Sequence, residues 1–140
     1  MNKKGPIVII EDDEDDRHIL GMVFKELECE NELNFFEDGQ EAIEYLKREE
    51  VMPFLVISDI NLPKLNGFQV RDIIFTNEAL RKKSFPFIFF TTTSNRIMIR
   101  EAFDRAVQGV FIKPDSIDSL RDNLRAILDY WSLGYAPNGF

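Results

Sequence analysis

One cysteine and one histidine in 140 residues exclude several kinds of chemistry at once. Cys29 alone forms neither an intramolecular disulfide nor a thiolate metal cluster, and its use suits a reducing cytosol, so a cytoplasmic protein is expected. His18 has no second histidine to complete a ligand set and lies among acidic residues, where a solvated or partner-facing role is expected. Long apolar runs are missing too: nothing approaches the ~18 residues of a membrane span, and Ile7 to Ile10 behind the basic start is too short for a signal peptide. No internal repeat or low-complexity linker is present. Positive charge is also scarce. With 17 Lys and Arg against 25 Asp and Glu, and a formal net charge of −8, the chain argues against a nucleic-acid or anionic-membrane surface, because polyanions bind where basic residues cluster. An acidic chain suits a cation or a basic partner instead.

What is present is ample apolar material. At 44% hydrophobic residues the chain has enough for one domain of ordinary size, taken as residues 1–140 with a core over about 6–131, and too little length for a second. The stretch Phe54-Leu55-Val56-Ile57-Ser58-Asp59-Ile60-Asn61-Leu62-Pro63 organises the rest. A short Val- and Ile-rich run bounded by Pro53 and by Asn61 and Pro63 reads as a strand buried on both faces of a parallel sheet. Asp59 then sits at its carboxyl end, beyond which open α/β sheets bind ligands. Asp before a turn also serves as a cap. Taken alone, the stretch leaves both roles open.

Four more strands and five helices follow from the pattern. Pro6 to Ile10 is a fully apolar strand running into the acidic block Glu11 to Asp16. From about Glu14 to Glu28, Ile19, Leu20, Val23, Phe24 and Leu27 recur at helical spacing. Early acids suit that helix's positive end, which accounts for Asp15 and Asp16 better than for Glu11 and Asp12. Asn34 to Glu37 is a poorer strand, followed by a helix capped by Asp38, with Glu41 able to reach back, and with Ala42, Ile43 and Leu46 buried. Asn66-Gly67 opens a third helix carrying Val70, Ile73 and Ile74, with Thr76 to Ser84 as its tail and a loop. Pro86 to Phe90 is a buried strand ending in Thr91-Thr92-Thr93-Ser94. A helix with Ile99, Ala102, Phe103 and Ala106 on one face precedes the strand Val110 to Ile112, which ends in Lys113-Pro114. The last helix, about Ile117 to Trp131, turns Ile117, Leu120, Leu124, Ile127, Leu128 and Trp131 inward, and a loose tail from Gly134 to Phe140 follows. Tyr130-Trp131 is either an interface anchor or a helix end packing its own core.

Strands alternating with helices predict an α/β fold with right-handed crossovers. A doubly wound, five-stranded parallel sheet of this size suggests the flavodoxin-like order 2-1-3-4-5 with five helices, which brings Glu11, Asp12 and Asp59 together at the switch point. Carboxylates that close repel, and the usual remedies are a shared proton or a bound cation. Oxygen-only ligands, few in number, suit Mg²⁺ completed by water and phosphate. Lys113 adds a mobile positive charge and Thr91 a hydroxyl donor. Such a set resembles a phosphoryl-transfer apparatus, and with no Ser–His or Cys–His pair available Asp59 is the plausible nucleophile.

Taken in order, Ile10-Glu11-Asp12-Asp13, Asp59-Ile60-Asn61-Leu62-Pro63 with Asn66-Gly67, Thr91, and Lys113-Pro114 resemble the receiver domain of two-component response regulators, over nearly the whole chain. The resemblance implies Asp59 as phosphoacceptor, Asp12 as direct metal ligand, Glu11 on a metal-bound water and Asn61 offering its backbone carbonyl to the ion. It further implies that Thr91 and Lys113 contact the phosphoryl group and that the Lys113–Pro114 bond is cis. A sensor histidine kinase or phosphotransfer protein would donate the phosphoryl group in a Mg²⁺-dependent reaction. The receiver would assist both that step and later hydrolysis. A downstream protein target would read the face built from the helix after Thr91, the last strand and the last helix. With no output domain after Trp131, a stand-alone receiver is expected, and its hydrophobic last helix permits a homodimer.

Departures from the family pattern matter. Val110 stands where many receivers carry a switch aromatic, and Phe111, one residue on, points to the opposite face. Thr92 replaces a smaller residue, which would narrow access to the phosphoryl group. Asn61 and Thr93 flank the family's route for attacking water. A receiver-fold binding module that signals without phosphate is the main rival, motivated by Val110. An aspartyl phosphatase would need a second Asp where Asn61 stands, and a flavin phosphate loop would not be acidic over Glu11 to Asp16.

Overall fold

In the computed structural model, residues 2–92 and 95–135 are described. Thr93, Ser94 and the tail beyond Tyr135 lie outside them, so the expectations for Thr93 and for a loose tail are not addressed. Five strands, β1 (Ile7–Ile10), β2 (Leu33–Phe36), β3 (Leu55–Ser58), β4 (Phe87–Thr91) and β5 (Gly109–Ile112), form one sheet. All four neighbouring pairs are parallel, in the order β2-β1-β3-β4-β5. β1, β3 and β4 are buried along their whole length, which is why they read as unbroken apolar runs rather than alternating ones. β2 and β5 lie at the edges and are only partly buried.

Among the described residues, six helices surround the sheet: α1 (Glu14–Glu26), α2 (Gly39–Leu46), α3 (Gly67–Thr76), α4 (Glu78–Arg81), α5 (Arg96–Asp104) and α6 (Ile117–Leu133). The additional one is α4, a single turn inside the segment expected as tail and loop. Asn77 both ends α3 and caps α4, its side chain accepting from Leu80 N. Short polar caps start the long helices as well. Asp13 accepts from Asp16 N, Asp38 from Glu41 N and Ser116 from Ser119 N, each satisfying an amide the helix leaves without a partner. The reciprocal capping box forms at Asn66 and Gln69.

Strand alternation divides the core between the two faces of the sheet. Val8, Ile10, Val56, Phe87 and Phe89 pack with α2 and α3 on one side, and Ile7, Ile9, Leu55, Ile57, Ile88 and Phe90 pack with α1 and α6 on the other. Two expected inward residues are instead exposed. Phe103 on α5 is 57% exposed and Ile117 at the start of α6 is 42% exposed. Ala106 is exposed too; it lies beyond the end of α5 with φ of 55°, so it leaves the helical face on which the spacing placed it. No helix of the described residues is long and apolar enough to cross a membrane.

Candidate functional site

Parallel pairing fixes which strand ends meet. Ile10 pairs with Ser58, and Thr91 with Ile112, so the residues just beyond β1, β3 and β5 converge at the carboxyl edge of the sheet. Asp59 N donates to Ile10 O at 3.0 Å, continuing the β1–β3 ladder one residue past the strand. Its Oδ1 accepts from Ile60 N at 2.7 Å and from Asn61 N at 3.3 Å. Its Oδ2 lies 3.0 Å from Lys113 Nζ. Asp59 is thus held by backbone on one oxygen and by a cation on the other, which suits a reacting group more than a cap.

The turn after Asp59 is tied back by Gly67, whose N donates to Ile60 O at 2.7 Å. A Cβ on Gly67 would stand 2.4 Å from Asp59 O and 2.7 Å from the Phe89 ring, so only glycine allows α3 to start this close to the carboxylate.

Glu11 is 3% exposed. Its amide donates to Phe36 O at 2.9 Å, and its carbonyl accepts from Arg17 Nη1 at 2.8 Å. One carboxylate oxygen accepts from Asp13 N at 3.3 Å and the other pairs with Lys113 Nζ. Burial pushes the Glu11 carboxyl up to about 7 against the pull of Lys113, with the Asp59 charge adding to the rise. Burial acts downward on the Lys113 ammonium. Hydrogen bonds to Glu11 and Asp16 and the charges of Asp59 and Glu11 outweigh it, so Lys113 is held above its ordinary range and stays charged.

The three ammonium donors of Lys113 serve three carboxylates: Glu11, Asp59 and Asp16, the last at 3.0 Å. Sequence position accounts for Asp16 by the helix dipole alone. Its contact with Lys113 is 97 residues away in sequence, and the only available signal was its location in the first turn after β1. The Lys113 amide donates to Thr91 O at 2.7 Å, joining the ends of β4 and β5, and Thr91 is wholly buried. The Lys113–Pro114 bond is trans, correcting the expected cis form; trans is the ordinary preference of an X–Pro bond.

Carboxylate oxygens of Glu11, Asp12 and Asp59 lie within 4.8 Å of one another. Two of these residues are buried and Asp12 is exposed, so the cluster opens to solvent on one side. An all-oxygen set of this size fits a hard divalent cation that keeps several waters. Asn61 is exposed beside it, with its amide committed to Asp59.

Residues 7–125 match the family described as response regulator receiver domain. The chain belongs to that family. Chemotaxis protein CheY-3 of Vibrio cholerae is 28% identical over 129 residues, covering 92% of this chain and 95% of that protein. In three dimensions the chain resembles the phosphorylated cyanobacterial phytochrome response regulator RcpA with a TM-score of 0.85 at 24% identity, covering 96% and 99% of the two chains. It also resembles the Mn²⁺-bound form of response regulator Rcp1, from Synechocystis, with a TM-score of 0.80 at 25% identity over 94% and 97%. Val110 packs with the α2–α3 side of the core, whereas Phe111 packs on the opposite side and stacks on Phe90 at 5.7 Å between ring centres with planes 10° apart. Phe111 therefore does not replace an aromatic at Val110.

Proposed function

We propose that this receiver accepts a phosphoryl group on Asp59 from a phosphohistidine of a sensor histidine kinase or phosphotransfer protein, with a divalent cation, Mg²⁺, held by Asp12, Asp59 and the Asn61 carbonyl and with Glu11 on its water. The contact between Lys113 and Asp59 carries the reading. It places a permanent cation beside the one carboxylate oxygen that backbone amides leave for reaction, where negative charge grows in the transition state. In the transfer, an Asp59 oxygen forms a bond to phosphorus as the donor's P–N bond breaks, and the histidine takes up a proton. Lys113 and the Thr91 hydroxyl bind the phosphoryl oxygens. The cation, when bound, supplies neutralisation of the remaining charge. Hydrolysis by water reverses the modification.

That a similar response regulator, Rcp1, has a Mn²⁺-bound form supports a divalent cation as ligand, and the fit of three oxygen donors supports it here. We further infer that the modified state is read by a protein partner at the face of α5, β5 and α6. Val110 makes that coupling independent of a rotating ring at this position. Signalling without phosphate is disfavoured by the intact Glu11, Asp12, Asp59 and Lys113 set, because a module freed from phosphate has no need to hold three buried or half-buried charges together. Incubation with acetyl phosphate and Mg²⁺ should add the mass of one phosphoryl group to the intact protein. The addition should be lost on removing Mg²⁺ and in Asp59→Asn. A folded wild-type protein that stays unmodified under all conditions would contradict the proposal.

A further inference from the structure

Of the three acids that Lys113 serves, Asp16 is the one that the proposed reaction does not use. The ammonium donates to Glu11, to Asp59 Oδ2 at 3.0 Å and to Asp16 Oδ2 at 3.0 Å, so its three hydrogens are all engaged. Glu11 and Asp59 belong to the cluster that fits a cation, whereas Asp16 stands outside it. Once Glu11 turns to the cation and an Asp59 oxygen bonds to phosphorus, Asp16 is the acid that remains to hold the ammonium in place.

Asp16 is built on a firm base. It lies in the first turn of α1, its amide donates to Asp13 Oδ1 at 3.0 Å, and α1 is pinned to the sheet by buried Leu20, Val23 and Phe24. Lys113 has less support from its own element. It follows β5, an edge strand only partly buried, and its ammonium ends a four-carbon stem whose rotamer freedom opposes any single placement. The pair rims a cleft of about 110 Å³ walled by Ile19, Leu20, Phe90, Pro114, Ile117 and Leu120. These apolar walls keep bulk water from one side of the contact, which strengthens it over a pair in open solvent. The other acid at this cleft, Asp115, is exposed and forms no ion pair with Lys113.

We propose that Asp16 is a positioning residue, tethering the Lys113 ammonium to α1 so that the donors released from Glu11 and Asp59 point at the transferring phosphoryl oxygens. The proposal rests on the phosphoryl-transfer reading above. Removing Asp16 leaves the charge of Lys113 intact and takes away its direction, and catalysis by a fixed charge depends on direction. The opposite role, an acid that withholds Lys113 from the phosphoryl group, is disfavoured by the geometry. One ammonium reaches Asp16 and Asp59 at the same time, each at 3.0 Å, so holding the first does not draw it from the second.

Asp16→Asn removes the charge and keeps the shape at a half-buried helix position. The first readout is the NMR signal of the lysine ammonium groups in the ¹⁵N-labelled full chain with Mg²⁺ alone, the Lys113 signal being assigned by its loss in Lys113→Met. Its exchange with water should be at least about fivefold faster in Asp16→Asn, the scale of one lost charge-assisted hydrogen bond, and Asp16→Glu should restore part of the protection. The second is phosphoryl uptake against acetyl phosphate concentration. In Asp16→Asn the maximal rate should fall at least about fivefold while the half-saturating concentration does not rise, as expected of lost orientation rather than lost binding. In the Lys113→Met background, Asp16→Asn should change uptake by less than about twofold, because a residue acting through Lys113 has nothing left to position. Unchanged ammonium exchange, an unchanged or faster maximal rate, or a full loss repeated in the Lys113→Met background would each overturn the tether. Wild-type protein that takes up no phosphoryl group contradicts the parent reading instead, and the ammonium exchange then decides the tether by itself.

Discussion

Lys113 Nζ and Asp59 Oδ2 lie 3.0 Å apart although 54 residues separate them in the chain. The contact exists because β3, β4 and β5 are parallel neighbours, which puts the residues beyond their carboxyl ends in one crevice. The same ammonium also reaches Glu11 and Asp16, so a single cation is shared by three acids while the crevice stays open beside Asp12.

Replacing that cation should therefore have two separable effects. Lys113→Met is expected to lose about 3 kcal/mol of stability in the absence of divalent ions, since breaking a buried pair leaves its acids uncompensated. Added Mg²⁺ should stabilise the variant more than wild type. Phosphoryl uptake from acetyl phosphate should fall at least about tenfold, the cost of one charge-assisted contact in the transition state. Urea unfolding with and without Mg²⁺, beside a phosphorylation time course, reads both effects.

Glu11 makes stability depend on pH. Its carboxyl is raised from 4.5 to about 7 in the fold, so between these values the folded protein keeps a proton that the unfolded chain has released. Stability must then fall as pH rises from about 4.5 to 7 and level off above, by on the order of 3 kcal/mol. Glu11→Gln removes this dependence. Without divalent ions it should be more stable than wild type at pH 8, and the difference should vanish toward pH 5. Thermal unfolding of both proteins across that range checks the sign, and a difference that grows toward low pH would refute it.

Gly67→Ala probes the close approach of α3 to the site. The added methyl would meet Asp59 O at 2.4 Å and Ile60 Cα at 2.8 Å, both backbone atoms that cannot swing aside. A loss of about 2–3 kcal/mol is expected from such overpacking, with a disproportionate fall in phosphoryl uptake because the displaced atoms carry Asp59. Uptake unchanged in a destabilised but folded variant would separate the turn from the chemistry.

Lys83 should prove as important to folding as any apolar residue of its size. Only 9% exposed, it donates to the carbonyls of Leu46, Arg48 and Val51 at 2.6, 2.8 and 2.7 Å, collecting the orphaned end of α2. Lys83→Met is expected to cost about 3 kcal/mol, mostly through the stranded carbonyls, with Mg²⁺ binding unchanged.

The strands and the acidic cluster were legible in the sequence for one physical reason. A strand buried on both faces shows as an unbroken apolar run, and in a doubly wound sheet its carboxyl end is where ligands sit, so Asp59, Glu11, Thr91 and Lys113 were marked by position as well as by type. Asp16 and Lys83 were not. Their partners are 97 residues away in one case and 32 to 37 in the other, and a lone charge in a polar stretch carries no periodicity that would announce a buried role. Phe103 and Ile117 show the opposite failure. Helical spacing marked them as inward, yet Phe103 lies beside β5, an edge strand that is itself only partly buried, and Ile117 stands at the first position of α6, where the helix has just begun to pack. Arg71 is likewise a lone charge with nothing in the sequence to mark it, since the carbonyls it donates to lie 34 and 35 residues away.

Locating the acyl phosphate tests the central claim most directly. After incubation with acetyl phosphate and Mg²⁺, the protein is reduced with borohydride, which converts an aspartyl phosphate to homoserine, and then digested and mapped by mass spectrometry. Homoserine at position 59 alone, absent when Mg²⁺ is withheld, is the predicted result. Homoserine at Asp12 or Asp13, or none in a folded protein, would contradict the assignment of Asp59 as phosphoacceptor.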